Sequence, residues 1–235
     1  LEHRVKRVVI SNVDPNPIAV GGAERLRKSG VAVTTGALEA DGHELNRRFF
    51  KWISKKQPYI ILKWAQTADG FMAKENFDSK WISNELSRQR VHQWRTQEDA
   101  VLVGRRTAFH DNPQLNVRAW TGRNPVRVVI DRYLTLSDKL HLFDGSQPTI
   151  VFNVLKHEEH PNLKLLRLDE DRFLDALIQS LANQNIQSLI VEGGAHTLIQ
   201  FIESGLWDEA RIFVAPKHFH KGIKAPVAPG ALHGV

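Results

Sequence analysis

The sequence predicts an α/β fold built on a mostly parallel sheet with flanking helices. Short continuous apolar runs, such as Val128-Val129-Ile130 and Leu189-Ile190-Val191, suit strands buried on both faces. They alternate with amphipathic stretches long enough to serve as crossover helices. The chain has 235 residues, 42% hydrophobic and 25% charged, which leaves too much apolar surface for a disordered polymer.

The first 57 residues read as strand, turn, helix, strand, helix. Val5 to Ile10 is a β-branched run, and Asn12-Val13-Asp14-Pro15-Asn16-Pro17 is turn chemistry. Ala23 to Lys28 forms a short helix stopped by Gly30, and Val31 to Thr35 a second strand. From Glu39 to Lys55 a longer helix places Leu45, Phe49, Trp52 and Ile53 on one face. Two such units cannot cover both faces of a sheet, so residues 1–57 read as an incomplete domain, with the seam at Pro58. The second domain is residues 58–235. Its expected strands lie near Tyr59–Ala65, Ala100–Val103, Val126–Ile130, Thr149–Phe152, Leu163–Leu168, Ser188–Val191 and Glu209–Val214. Helices are expected near Asn84–Thr96, Arg172–Ala182 and Ala195–Ser204, and no clear element after Lys221.

With no Cys, the chain cannot form disulfides, thiolate zinc sites, iron–sulfur clusters or thiol nucleophiles. No apolar run approaches the length needed to cross a bilayer, and no basic-then-apolar leader opens the chain. No membrane partner and a cytoplasmic location are therefore expected. The net charge is +6, and residues 1–57 hold most of the excess. The cations are spread through amphipathic segments without an aromatic-interleaved stripe, so no nucleic-acid partner is expected. The charge nevertheless leaves a nucleotide- or RNA-binding module as the alternative of a different class.

Chemistry concentrates in four segments. In Leu189-Ile190-Val191-Glu192-Gly193-Gly194-Ala195-His196-Thr197-Leu198, a strand ends in an acid, two glycines follow and a helix begins. That arrangement is either a phosphate cradle at a helix N-terminus or a tight turn without a ligand. Lys63 sits in an otherwise apolar strand, where it either meets an anionic or carbonyl-bearing ligand or snorkels from a strand edge. Gly104-Arg105-Arg106-Thr107 is another glycine at a strand-to-helix step, and Asp111-Asn112-Pro113-Gln114-Leu115-Asn116-Val117-Arg118 is a turn flanked by acid and base. His157-Glu158-Glu159-His160 and His218/His220 lack a third ligand at helical spacing, so no metal site is expected. Gly-x-Gly-x-x-Gly, Gly-x-Ser-x-Gly and Walker motifs are absent.

Taken in order, LKWAQTADG, SKWIS, VHQWRTQEDAVLVGRRT, DNPQLNVR, NPVRVVID and VEGGAHTL resemble the reductase domain of the bifunctional riboflavin-biosynthesis deaminase/reductase, over roughly residues 58–216. The resemblance implies a dihydrofolate-reductase-like fold and NADPH-dependent reduction of 5-amino-6-(5-phosphoribosylamino)uracil, a phosphorylated pyrimidine, to its ribitylamino product. A reductase of that fold acting on another pterin or pyrimidine is the nearest alternative. The resemblance places Ala65, Trp81, Thr107, Asp111, Arg132 and the run Gly194, Ala195, His196, Thr197, Leu198, Ile199, Gln200 at cofactor positions. Arg132 stands where a small hydroxyl residue is expected. Ser79, Arg95, Leu115, Arg118 and Glu192 fall at substrate positions, with Arg95 and Arg118 suited to grip phosphate in bidentate forks. Lys63, Asp111 and Glu192 are the candidate proton donors. Residues 1–57 resemble the C-terminal part of a cytidine-deaminase-like domain, through VDPNP and LNRRFF. The zinc-binding His-x-Glu and Pro-Cys-x-x-Cys elements are not among these residues, so zinc is expected only with a complete deaminase domain. A homodimer is also implied.

Overall fold

The computed structural model describes residues 5–79 and 82–230. It divides into two compact units, Leu1–Pro58 and Tyr59–Val235.

In the first unit, β1 (Arg7–Ile10) and β2 (Ala32–Thr35) pair in parallel, with α1 (Gly22–Lys28) between them. The helix expected over 39–55 is instead two, α2 (Glu39–Leu45) and α3 (Arg47–Lys55). The break falls at Asn46, whose side-chain amide donates to the Gly42 carbonyl at 2.8 Å, a local bond that competes with the helical ladder. The proposed apolar face is shortened by it: Phe49, Trp52 and Ile53 stay together on α3, with Trp52 and Ile53 half-buried, whereas Leu45 on α2 is exposed.

The second unit is built on an eight-stranded sheet. Its strands are β3 (Tyr59–Thr67), β5 (Ala100–Gly104), β6 (Val126–Ile130), β7 (Thr149–Asn153), β8 (Glu158–His160), β9 (Leu163–Arg167), β10 (Ser188–Gly193) and β11 (Glu209–Ala215). Their order across the sheet is β11-β3-β10-β5-β6-β7-β9-β8, and every pairing is parallel except β8 with β9. The helices are α4 (Glu85–Gln97), α5 (Arg105–Asp111), α6 (Phe173–Asn183) and α7 (Ala195–Glu203). A two-stranded antiparallel pair joins β4 (Phe71–Ala73) to β12 (Ile223–Lys224).

Strand alternation sorts the core into two layers. Ile60, Leu62, Trp64, Leu189 and Val191 pack with Phe173, Leu177 and Leu181 of α6 and Leu198 and Phe201 of α7. Ile61, Ile190, Val101 and Val103 pack with Val91 and Trp94 of α4 and Ala108 of α5. A period of two therefore turns Lys63 and Glu192, the next odd and even positions after Ile61 and Ile190, toward the α4 layer.

The order also locates a crevice. From β5 the chain winds on toward β6, whereas from β10 it winds the other way, to β11. β5 and β10 are neighbours, so their carboxyl ends flank the topological switch point where open α/β sheets bind ligands.

β4, β8 and β12 were not expected from sequence. All three are two or three residues long, too short to show a period. β8 consists of Glu158, Glu159 and His160, the charged composition that guards a sheet edge. Its flanking cations pair along the surface, Lys156 with Glu158 at 2.9 Å and Lys164 with Glu159 at 3.5 Å. Among the described residues no group of His, Cys, Asp or Glu is placed to hold a metal ion, and no helix is long and apolar enough to cross a membrane.

Candidate active site

Two strand-to-helix turns meet at the switch point. β10 ends in Gly193, α7 begins after Gly194, and the Gly194 N–H donates to Thr107 Oγ1 of α5 at 2.9 Å. Gly194 has φ +33°, and a Cβ there would stand 3.0 Å from Thr107 Oγ1. Across the turn, a Cβ on Gly104 would collide with Thr197 Oγ1. Only glycine permits this approach. No side chain caps α7, so its first-turn N–H groups remain to meet an anion. Arg105 and Arg106 are exposed at the start of α5.

Beside these turns lies a buried charge cluster. Glu192 accepts both arms of Arg95, from Nε to Oε1 at 2.7 Å and from Nη2 to Oε2 at 2.9 Å. Lys63 Nζ lies 3.7 Å from Glu192 Oε2. Arg95 Nη1 donates to the Asn116 carbonyl at 2.9 Å, and His92 Nδ1 meets the same oxygen at 2.9 Å, so that ring nitrogen carries the proton. Arg118 Nη1 donates to Asn116 Oδ1 at 3.1 Å. Arg95 and His92 are three residues apart on α4, hence on one face, and that face is turned to the sheet.

The electrostatics of the cluster are lopsided. Burial works to raise the Glu192 pKa, but the charges of Arg95 and Lys63 outweigh it and hold the carboxyl down at about 2. Burial lowers the Lys63 pKa, with Glu192 opposing and Arg95 assisting. Burial, Arg95 and Arg118 together lower that of His92, which favours the neutral ring. Glu192 is thus a fixed anion, and Lys63 a cation that gives up its proton more readily than an ordinary lysine.

The sequence-derived residues scatter around this frame. Lys63, Arg95, Arg118 and Glu192 join one network, and Thr107 and Gly194 join the paired turns. Arg95 differs from expectation, because its fork is filled by Glu192 and its remaining arm by Asn116. Leu115 and Leu198 are buried in the core, so their side chains pack. Ala65 lies on β3 two residues beyond Lys63, and Ser79 is half-buried near the start of α4. Asp111 is exposed at the end of α5. The Arg132 guanidinium stacks 4.3 Å from the centre of the Phe173 ring. In α7, Ala195, Ile199 and Gln200 are half-buried, Thr197 is buried and His196 is exposed. Trp81 lies outside the described residues. Sequence reasoning missed His92 and Asn116, although both stood inside segments already noticed, His92 in VHQWRTQEDAVLVGRRT and Asn116 in DNPQLNVR.

A parallel sheet reversing at β10, with paired glycine turns at that point, defines the dihydrofolate-reductase-like class of α/β proteins. Residues 58–226 match the model of the RibD C-terminal domain, and the chain belongs to that family. It is 38% identical to the riboflavin biosynthesis protein RibD of Aquifex aeolicus, covering 93% of this chain and 64% of the relative. With the RibD of Actinobacillus pleuropneumoniae the identity is 36%, over 92% of this chain and 61% of the relative. The chain thus spans less than two-thirds of the length of these relatives. A Thermotoga maritima structure, a diaminohydroxyphosphoribosylaminopyrimidine deaminase/5-amino-6-(5-phosphoribosylamino)uracil reductase, superposes with TM-score 0.88 at 37% identity, covering 95% of this chain and 63% of that one. The yeast riboflavin biosynthesis reductase Rib7, 20% identical with TM-score 0.59 over 80% of this chain and 90% of its own, shares the fold.

Proposed function

We propose that this chain reduces 5-amino-6-(5-phosphoribosylamino)uracil to its ribitylamino product with NADPH. One observation carries the reading: Lys63, midway along β3, ion-pairs with Glu192 near the carboxyl end of the adjacent strand β10, beside a glycine turn shaped for an anion. The name of the Thermotoga maritima relative supports the substrate.

The chain's residues fit a dinucleotide. A Cβ would fill the Gly194 cradle, and the uncapped first turn of α7 answers a pyrophosphate. Thr107 and the run from Gly194 to Gln200 would hold the cofactor, with Ala65, Trp81, Asp111 and Arg132 around it. Arg105 and Arg106 supply cations for a 2′-phosphate. When bound, NADPH supplies hydride. In the ring-opened form of the substrate C1′ is an imine carbon; hydride addition there breaks the C1′=N π bond and leaves the nitrogen in need of a proton, which Lys63 delivers. Glu192, held anionic, positions the Lys63 ammonium and accepts hydrogen bonds from the substrate. Arg118 binds the phosphate with its outward donors, and Ser79 and the backbone at Leu115 complete the substrate wall.

The same proposal makes residues 1–57 the C-terminal part of a deaminase domain, so that the full-length protein also deaminates the preceding pyrimidine. The present residues do not fit zinc: the chain has no Cys, and no described cluster is placed to bind a metal. A homodimer is part of the proposal, with β11 at the sheet edge and Val214 exposed on it.

The test is titration of tryptophan fluorescence with NADPH and NADH, followed by NADPH oxidation on addition of the ribosylaminouracil phosphate. Saturable quenching that favours NADPH, with turnover, is expected. Binding without turnover would point to another pterin or pyrimidine substrate. No quenching, with salt-sensitive RNA binding instead, would remove the reductase reading.

A further inference from the structure

Residues 114–117 carry no regular secondary structure, yet each of their backbone positions is held by a side chain from elsewhere. The Gln114 carbonyl accepts from Arg127 Nε at 2.9 Å. The Leu115 carbonyl accepts from Gln147 Nε2 at 3.3 Å, and the same nitrogen reaches the Pro125 carbonyl at 3.2 Å. The Asn116 carbonyl accepts from Arg95 and His92, and the Val117 N–H donates to Asn124 Oδ1 at 2.8 Å. Within this run Leu115 has φ +50°, a left-handed conformation unfavourable for a leucine, and its side chain is buried. A loop left to itself would relax out of that state.

Arg127 is fully buried in the middle of the sheet, on β6. Beyond Gln114, its Nη1 bonds the His141 carbonyl at 2.8 Å and Asp144 Oδ1 at 2.7 Å, and its Nη2 bonds Ser146 Oγ at 3.0 Å. The hydrogen bond from Arg127 holds the Asp144 carboxyl well below the usual carboxylate range. All three guanidinium nitrogens are engaged within the protein and the side chain is fully buried, so this arginine serves the protein's own loops. What it does is tie the 114–117 run to the 141–146 turn.

We propose that Arg127 and Gln147 are positioning residues for substrate recognition. They lock the peptides at 114 and 115 so that Asn116 reaches Arg95 through its carbonyl and Arg118 through its side chain. Substrate affinity is thereby set by two buried side chains that never touch the substrate. The inference rests on the reading above, in which Arg118 and Glu192 bind the phosphorylated pyrimidine.

Two variants test it. Gln147→Met keeps the volume and removes both donors; Arg127→Lys keeps the charge but cannot serve the separated acceptors. If Arg127→Lys does not fold, Gln147→Met decides alone. Hydrogen exchange at the Val117 amide is expected to accelerate in Gln147→Met while that of α7 stays as in the wild type. The KM for the ribosylaminouracil phosphate should rise about tenfold with kcat little changed, as for a misplaced binding loop. The NADPH dissociation constant, read by tryptophan quenching, should not move. Unchanged exchange at Val117 would overturn the clamp, and faster exchange with an unchanged KM would overturn its link to substrate. A parallel rise in KM and the NADPH constant would reduce it to general loosening. If the wild type turns over no ribosylaminouracil phosphate, the functional reading fails, while the exchange result still decides whether the clamp exists.

Discussion

At the scale of single residues, the proposed reaction has the cluster around Glu192 divide the labour of an acid–base site. Lys63→Met should leave NADPH affinity intact and lower kcat by about 10²-fold or more, the contribution of a positioned general acid. In the wild type, the basic limb of the kcat profile should fall below the 10.5 of an ordinary lysine and vanish in the variant. Glu192→Gln should cost about 3 kcal/mol of stability by leaving two buried cations without their counter-charge, measurable by denaturant titration. Because folding depresses the Glu192 pKa from 4.5 to about 2, its contribution is complete above pH 4.5 and is lost as pH falls through about 2. Arg118→Ala should weaken the phosphorylated substrate by about 1.5–3 kcal/mol, seen as a raised KM. Lys63 and Glu192 were legible because a charge inside an apolar strand demands a partner. Which partner was not legible, since Lys63 and Glu192 meet only through the pairing of β3 with β10, strands far apart in sequence, and Arg95 reaches them only through the packing of α4 on the sheet. The same blindness hid Arg127, a second buried cation in an apolar strand whose motif had been read only as family likeness.

At the scale of elements, the long strands and helices of the second unit showed through their periodicity, and the short ones did not. Gly104 and the Gly193–Gly194 pair announced their turns, but not that the turns touch each other. Gly194→Ala should raise the NADPH dissociation constant about tenfold or more, because the methyl group would press on Thr107 and fill the cradle. The C-terminal segment read as featureless because its order is borrowed from the β3–β4 turn. There Asp69 accepts the backbone N–H groups of Phe219 and His220, at 3.0 and 2.7 Å. Partial burial acts to raise the Asp69 pKa, but these bonds and one from Thr67 win and bring it from 3.8 to about 2. The clasp is therefore complete above pH 3.8 and released as pH falls through about 2. Asp69→Asn should make Lys221 a faster site of trypsin cleavage at neutral pH, read on a gel with the wild type alongside.

At the scale of the whole molecule, the two units differ in what they bury. Both apolar layers described above belong to the second unit, whereas α1, α2 and α3 bury no residue at all. Residues 59–235 expressed alone should unfold cooperatively, and residues 1–58 alone should show little helical circular dichroism. The strand order carries a further consequence for how the chain is made. In the main sheet β3, which bears Lys63, pairs only with β10 and β11, and β10 is itself the wedge between β3 and β5. A nascent chain leaving the ribosome can join β5, β6, β7 and β9 as they emerge, but β3 must wait for residues 188–215. The strand that bears Lys63 would then stay unpaired until residues 188–215 have emerged, and until that moment an apolar ribbon with unmet hydrogen bonds is offered to any chaperone nearby.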